Sequence, residues 1–113
     1  MPYVAFNISE KLSETQKEKI KSEVGRLITV IPGKTEADTI VDICDGHSMY
    51  KGGKAIPIAY VDIRVYTKAD PNGKKQFISN LFILLEKELG INKDNVYMSF
   101  LEFDQWGDHG AYH

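Results

Sequence analysis

The chain is poor in cysteine and in arginine. Cys44 is the single cysteine among 113 residues, so no internal disulfide can form and a disulfide framework is excluded. Only Arg26 and Arg64 carry guanidinium groups. Charge of one sign is lacking as well: 14 basic residues meet 16 acidic ones, for a formal net charge of −2. Without a positive excess, neither nucleic acid nor an anionic membrane surface is an expected partner. No run nears the roughly 18 apolar residues of a membrane span. The N-terminus does not read as a signal peptide, because Glu10, Lys11 and Glu14 arrive before an apolar core can develop. These absences lead to the expectation of a soluble, cytoplasmic protein.

What is present suits a folded domain. The chain is 42% hydrophobic and 11% aromatic, which argues against disorder. Its length fits one domain over residues 1–113. A chain this short buries only about two-thirds of its unfolded surface, so association with further copies would help it.

An internal repeat organises the chain, at an offset of 57 residues. Tyr3-Val4-Ala5-Phe6-Asn7-Ile8 lies on Tyr60-Val61-Asp62-Ile63-Arg64-Val65. Ile20, Val24, Leu27 and Ile28 lie on Phe77, Leu81, Leu84 and Leu85, and Gly33 lies on Gly90. The copies span approximately residues 2–56 and 59–113. Each reads as a strand, a helix and a second strand. Ser13 and Gln16 fit a capping box, and Ile20, Val24, Leu27, Ile28 and Ile31 form one helical stripe up to Pro32-Gly33. Asp70-Pro71 reads as cap and first turn of the second helix. Phe77, Leu81, Leu84, Leu85 and Leu89 form its buried stripe before Gly90.

The strands alternate. Val4, Phe6, Ile8, Val61, Ile63, Val65, Val96, Met98 and Phe100 share one face. Right-handed crossovers put both helices on that face. The predicted fold is therefore α+β (α/β), a four-stranded sheet with two helices on one side. The other face carries Tyr3, Ala5, Asn7, Asp42, Cys44, Tyr60, Asp62, Arg64, Tyr66, Tyr97, Ser99, Leu101 and Phe103. It is aromatic for a solvated surface and polar for a core. Packing it against copies of itself would cover it and its sheet edges. A solvated face with scattered tyrosines is the alternative. Asp42, Asp62 and Arg64 there read either as an acid–base set or as ion pairs that fix oligomer register. Between the copies, residues 47–54 read as a loop or short hairpin.

Met1-Pro2 opens the first strand. Initiator methionine is commonly removed before a small residue, and proline qualifies. Pro2 would then carry a free secondary amine, able to take a proton from carbon beside a carbonyl. Apolar walls and nearby cations would lower its pKa toward working pH. Many chains begin Met-Pro without using it, so Pro2 alone assigns no function.

Taken together, Met1-Pro2-Tyr3, Pro32-Gly33-Lys34, the Tyr50-Lys51-Gly52-Gly53 turn and the stretch from Gly90 through Asn95-Val96-Tyr97 resemble the tautomerase superfamily. The resemblance is to its macrophage migration inhibitory factor and phenylpyruvate tautomerase branch, and it covers essentially the whole chain. It implies a homotrimer with active sites at subunit interfaces and Pro2 as catalytic base. It implies Lys34 as the group binding substrate carboxylate. Tyr66 falls where a backbone N–H approaches substrate, and Tyr97 where the neighbouring subunit supplies an aromatic. The implied substrate is an α-keto acid or its enol, phenylpyruvate-like, with no metal or cofactor. Ser99 stands where asparagine is common. In the stretch Gln105–Gly110, Trp106 walls the pocket, but Asp108 and His109 occupy places often held by an aromatic and an asparagine. A carboxylate there would repel an anionic substrate.

The implied reaction is a 1,3 proton shift, with Lys34 holding the carboxylate and donors near Tyr66 and Tyr97 stabilising the enolate. Two alternatives stand beside it. One is a hydratase, dehalogenase or decarboxylase using the same proline, for which two arginines are few. The other is a non-catalytic oligomeric signalling or binding protein on the same scaffold. A metal site from His109, His113, Asp108, Cys44 and His47 lacks zinc-like spacing. Asn7-Ile8-Ser9 matches a glycosylation sequon, but no secretion signal supports its use.

Overall fold

A computed structural model describes residues 1–113. Four strands, β1 (Pro2–Ile8), β2 (Ile40–Cys44), β3 (Ala59–Tyr66) and β4 (Val96–Phe103), form one sheet in the order β2-β1-β3-β4. β1 pairs with β2 and β3 with β4 in parallel, while the central β1–β3 pair is antiparallel. Each parallel pair is bridged by a helix, α1 (Glu14–Leu27) or α2 (Pro71–Leu89). The two strand-helix-strand units are thus joined back to back through their first strands. No helix is long and apolar enough to cross a membrane.

Local chemistry explains the helix ends. Ser13 and Gln16 form a complete capping box at α1. The Asp70 carboxylate accepts from the Gly73 N–H, and Pro71 occupies the first turn, where a missing N–H costs nothing. Gly90 closes α2 at φ 68°, with the Ile91 N–H reaching back to the Leu85 carbonyl at 3.4 Å. The α1 stripe was expected to run unbroken to Ile31. The α-helix ends at Leu27 instead, and Ile28–Val30 tighten into a 3-10 turn. That keeps Ile28 and Ile31 buried while turning the chain toward Pro32.

The core is a cluster of 20 buried residues between the helices and one sheet face. Val4, Phe6, Ile8, Val61, Ile63 and Val65 supply the sheet side; Ile20, Val24, Leu27, Phe77, Leu81 and Leu85 supply the helices. Glu102 interrupts the apolar pattern of this face. It does so with partners: its carboxylate accepts from the Ala69 N–H at 2.7 Å and from Lys74 Nζ at 3.0 Å.

The opposite face is uncovered in the single chain. Tyr60, Tyr97 and Leu101 are exposed there, as is Ile40, which pairs with Tyr3 and so joins this face. Arg64 grips Asp62 in the same strand, with Nη2 to Oδ2 at 2.9 Å. The Tyr3 hydroxyl donates to Asp42 at 2.7 Å. The loop between the copies is a tight hairpin, with Lys51 bridged to Lys54 and both glycines at positive φ. The last residues form a second small hairpin, β5 (Gly107–Asp108) and β6 (Ala111–Tyr112).

Gly73 and Gly25 separate two kinds of close approach. A Cβ on Gly73 would lie 3.0 Å from Ile31 Cα and the Val30 carbonyl oxygen, and 3.2 Å from Pro32 Cδ. Those atoms are mostly backbone and cannot swing away. A Cβ on Gly25 would meet the end of the exposed Glu36 side chain, which can. Gly73→Ala is expected to lose about 1–3 kcal/mol in urea unfolding. Gly25→Ala is expected to be neutral, or stabilising by up to about 1 kcal/mol. Equal losses in both would contradict this packing.

Candidate active site

Pro2 is the first residue of β1, buried, and opposite Val65 on β3. A proline suits this place because the first residue of a strand can do without an N–H. Lys34 arrives by a separate route. Ile31-Pro32-Gly33-Lys34 forms a type II turn, with Gly33 at φ 83° and the Lys34 N–H donating to the Ile31 carbonyl at 3.1 Å. The turn sends the Lys34 side chain back over the sheet end, where Nζ donates to the Tyr66 carbonyl at 3.4 Å. Tyr66 is the last residue of β3. Thr67 follows in the left-handed region, at φ 65°, a conformation that strains a β-branched residue. Its N–H is held by the Phe103 carbonyl at 2.8 Å.

Aromatic rings wall this corner. Trp106 stacks on Tyr66 with ring centroids 6.2 Å apart, and Phe103 lies 5.8 Å from Trp106. An open depression of about 450 Å³ adjoins them on the uncovered face, between Tyr3, Ile40, Arg64, Phe103 and Trp106. Pro2 and Lys34 do not line it.

The electrostatics favour a neutral amine. Burial first, then the Lys34 charge, hold the Met1 amino group below the ordinary α-amino value, against the opposing pull of Asp38 and Asp108. These influences act at the very start of β1.

Of the six residues read as a site, Pro2, Lys34, Tyr66 and Trp106 meet at one end of the sheet. Tyr97 and Ser99 do not join them within this chain. Tyr97 pairs with Tyr60, five residues along β3 from the partner of Pro2, or about 17 Å at roughly 3.3 Å per residue. Ser99 pairs with Asp62, about 10 Å away by the same measure. Tyr97 is exposed, with Lys51 Nζ 5.3 Å from its ring centroid. Lys51 is itself anchored on the Asp94 carbonyl at 2.6 Å and the Asn95 side chain at 3.2 Å.

Two contributors escaped the sequence reading. Asp38 carries no motif and comes near only through the 3-10 turn at Glu36–Asp38. His113 lies 5.6 Å from the Tyr66 ring and pairs with Asp108, Nε2 to Oδ1 at 2.5 Å. The only sequence signal was the turn-forming His109-Gly110, both at positive φ, which folds the last residues back.

Comparison with known proteins defines the class. The model of the family "Macrophage migration inhibitory factor (MIF)" matches residues 1–110. The chain belongs to the macrophage migration inhibitory factor family. No curated protein matches it by sequence. Among solved structures it is similar to MIF2 of Leishmania major, with a TM-score of 0.90 at 20% identity over 100% of this chain and 97% of that one. It is also similar to the MIF-like protein of Entamoeba histolytica, with a TM-score of 0.86 at 22% identity over 99% and 98%. A third similar structure is Pt0534 inactivated by 2-oxo-3-pentynoate, with a TM-score of 0.79 at 19% identity over 89% and 85%. These likenesses establish the fold, two helices on a four-stranded mixed sheet.

Glu102 supports the site from behind, because it holds the segment between Thr67 and α2. Its carboxyl is held below the ordinary glutamate range, chiefly by the Ala69 N–H and then by Lys74. A depressed folded value means stability that is present at neutral pH and lost as pH falls through that value. Glu102→Gln is therefore expected to melt at a lower temperature at neutral pH. The gap from the parent should close as pH falls below the ordinary glutamate range. A gap that stays constant on acidification would show that the carboxylate charge is not what matters.

Proposed function

We propose that the protein is a keto–enol tautomerase of phenylpyruvate-like α-keto acids, with the Pro2 amine as general base. The observation that carries this reading is Pro2, buried at the start of β1, in one corner with Lys34, Tyr66 and Trp106. Removal of Met1 turns the Pro2 nitrogen from an amide into a secondary amine. Burial and the Lys34 charge, which already depress the Met1 amine, would act on it there.

In the forward direction the Pro2 lone pair takes a proton from the carbon beside the keto group. The C–H electron pair becomes the C=C bond, and the carbonyl pair moves onto oxygen. The Pro2 ammonium then gives its proton to that oxygen, which yields the enol and restores the neutral amine. In the reverse direction Pro2 takes the enol O–H proton and delivers it to carbon. Lys34 holds the substrate carboxylate as a point charge and fixes the reacting carbon against the amine. Trp106 and Tyr66 cover the apolar part of the substrate. A similar protein, Pt0534, is inactivated by 2-oxo-3-pentynoate, itself a 2-oxo acid, which supports this substrate class.

The reading includes a homotrimer with shared sites. The uncovered sheet face, with Ile40, Tyr60, Tyr97 and Leu101 exposed, supports it. So does the separation of Tyr97 and Ser99 from Pro2, which a neighbouring subunit would bridge. An arginine-assisted hydratase or dehalogenase finds less support, because Arg64 is bound to Asp62 and Arg26 to Glu23.

Light scattering at micromolar concentration should give about three times the 12.8 kDa chain mass. A monomer would overturn the shared site. With Met1 shown by intact mass to be absent, Pro2→Ala should lower kcat/KM for phenylpyruvate about 10²-fold or more. Lys34→Ala should act mainly by raising KM. Full activity of Pro2→Ala, or retention of Met1 in an active protein, would remove Pro2 as the base. Retention of Met1 in an inactive protein would favour a non-catalytic binding role.

A further inference from the structure

The Asp108–His113 pair lies against Tyr66, one of the two rings read above as covering the apolar part of the substrate. The final hairpin puts it there. Trp106 and His113 face each other across the hairpin, the His113 N–H donating to the Trp106 carbonyl at 2.7 Å. Their rings sit on Tyr66 at 6.2 and 5.6 Å. One hairpin thus presents an indole and an imidazole to the same tyrosine, and the imidazole holds Asp108. The Asp108 side chain is only 14% exposed. Its charge reaches the start of β1, where it acts on the amine.

The charge around the corner is therefore uneven. Lys34 brings one cation; Asp38, from the turn after α1, and Asp108, from the hairpin, bring two carboxylates to the amine. Of the neighbouring cations, Arg64 is paired with Asp62 and Lys74 with Glu102, on which the charge of Lys68 also acts. A substrate with one carboxylate can place it on Lys34. A second negative charge at the far end of the same molecule would meet Asp108, with Lys34 already taken by the first carboxylate.

We propose that Asp108, held in place by His113, makes this a site for 2-keto acids of single negative charge and excludes those with a second, distal carboxylate. The inference rests on the tautomerase reading for its substrate class. Discrimination arises from like-charge repulsion in a partly desolvated corner. It should weaken with added salt, which screens the partly exposed pair.

The test compares phenylpyruvate with its 4-carboxyphenyl analogue, which adds a distal carboxylate, and with the neutral 4-carbamoylphenyl analogue of nearly the same size. All three acids are assayed at the same pH and ionic strength. Trp106 is the only tryptophan, so quenching of its fluorescence reports binding independently of turnover. The parent protein should favour phenylpyruvate and the carbamoyl analogue over the distal carboxylate at least about tenfold, in Kd and in kcat/KM. Asp108→Asn should narrow that ratio about tenfold. His113→Lys, which leaves the carboxylate and adds a compensating charge, should narrow it as well. An unchanged ratio in both folded variants overturns the proposal, even if tautomerisation is observed. A ratio that narrows in binding without any turnover upholds the charge filter and overturns the tautomerase reading. Failure of phenylpyruvate to quench Trp106 in the parent protein overturns both.

Discussion

The sheet is covered on one face only, and much else depends on that constraint. Two strand-helix-strand units, joined antiparallel through β1 and β3, have both helices on the same side. Val4, Phe6, Ile8, Val61, Ile63 and Val65 are completely buried as a result. Their neighbours in the same strands are left on the bare side. Tyr60, Tyr97 and Leu101 lie exposed there, and Arg64 and Asp62 satisfy each other instead of a core. A one-sided sheet of this size is a half-finished layer, and the corner of Pro2, Lys34, Tyr66 and Trp106 lies at its rim.

The rim site is held by backbone devices more than by side-chain contacts. The type II turn at Pro32-Gly33 aims Lys34, and Gly73 lets α2 press directly on Ile31 and Pro32 beneath it. Glu102, an acid on the apolar face, ties down the segment that follows the strained Thr67. Displacing any of these moves the charged group relative to the strand start. The polar corner is thus coupled to the core through Ile31, which is itself buried.

Local punctuation made the frame readable. Ser13 with Gln16, Asp70 with Pro71, and Gly90 each act within a few residues, so their effect is visible in the chain itself. Alternation sorted the two sheet faces for the same reason. The end of α1 was less legible, because Ile28 and Ile31 keep a helical spacing while the backbone tightens to a 3-10 turn. Ile40 belongs on the bare face by the same alternation, two residues before Asp42 and four before Cys44, and its pairing with Tyr3 puts it there.

The residues alone determined the strand-helix-strand repeat, the helix caps, the composition of the two faces, and the likeness that singled out Pro2, Lys34, Tyr66, Tyr97, Ser99 and Trp106. The repeat, the caps and the two faces follow from short-range spacing; the six site residues follow from the family resemblance. The tertiary structure decided which of them meet. It gathered Pro2, Lys34, Tyr66 and Trp106 and left Tyr97 and Ser99 further down the sheet, because register across β1, β3 and β4 sets distance. It also brought His113 and Asp108 onto Tyr66, through a hairpin whose partners are five residues apart and whose target is a strand end more than forty residues earlier. No periodicity encodes such a contact: it exists only once the sheet has placed Tyr66 beside Phe103 and the hairpin has folded back over both.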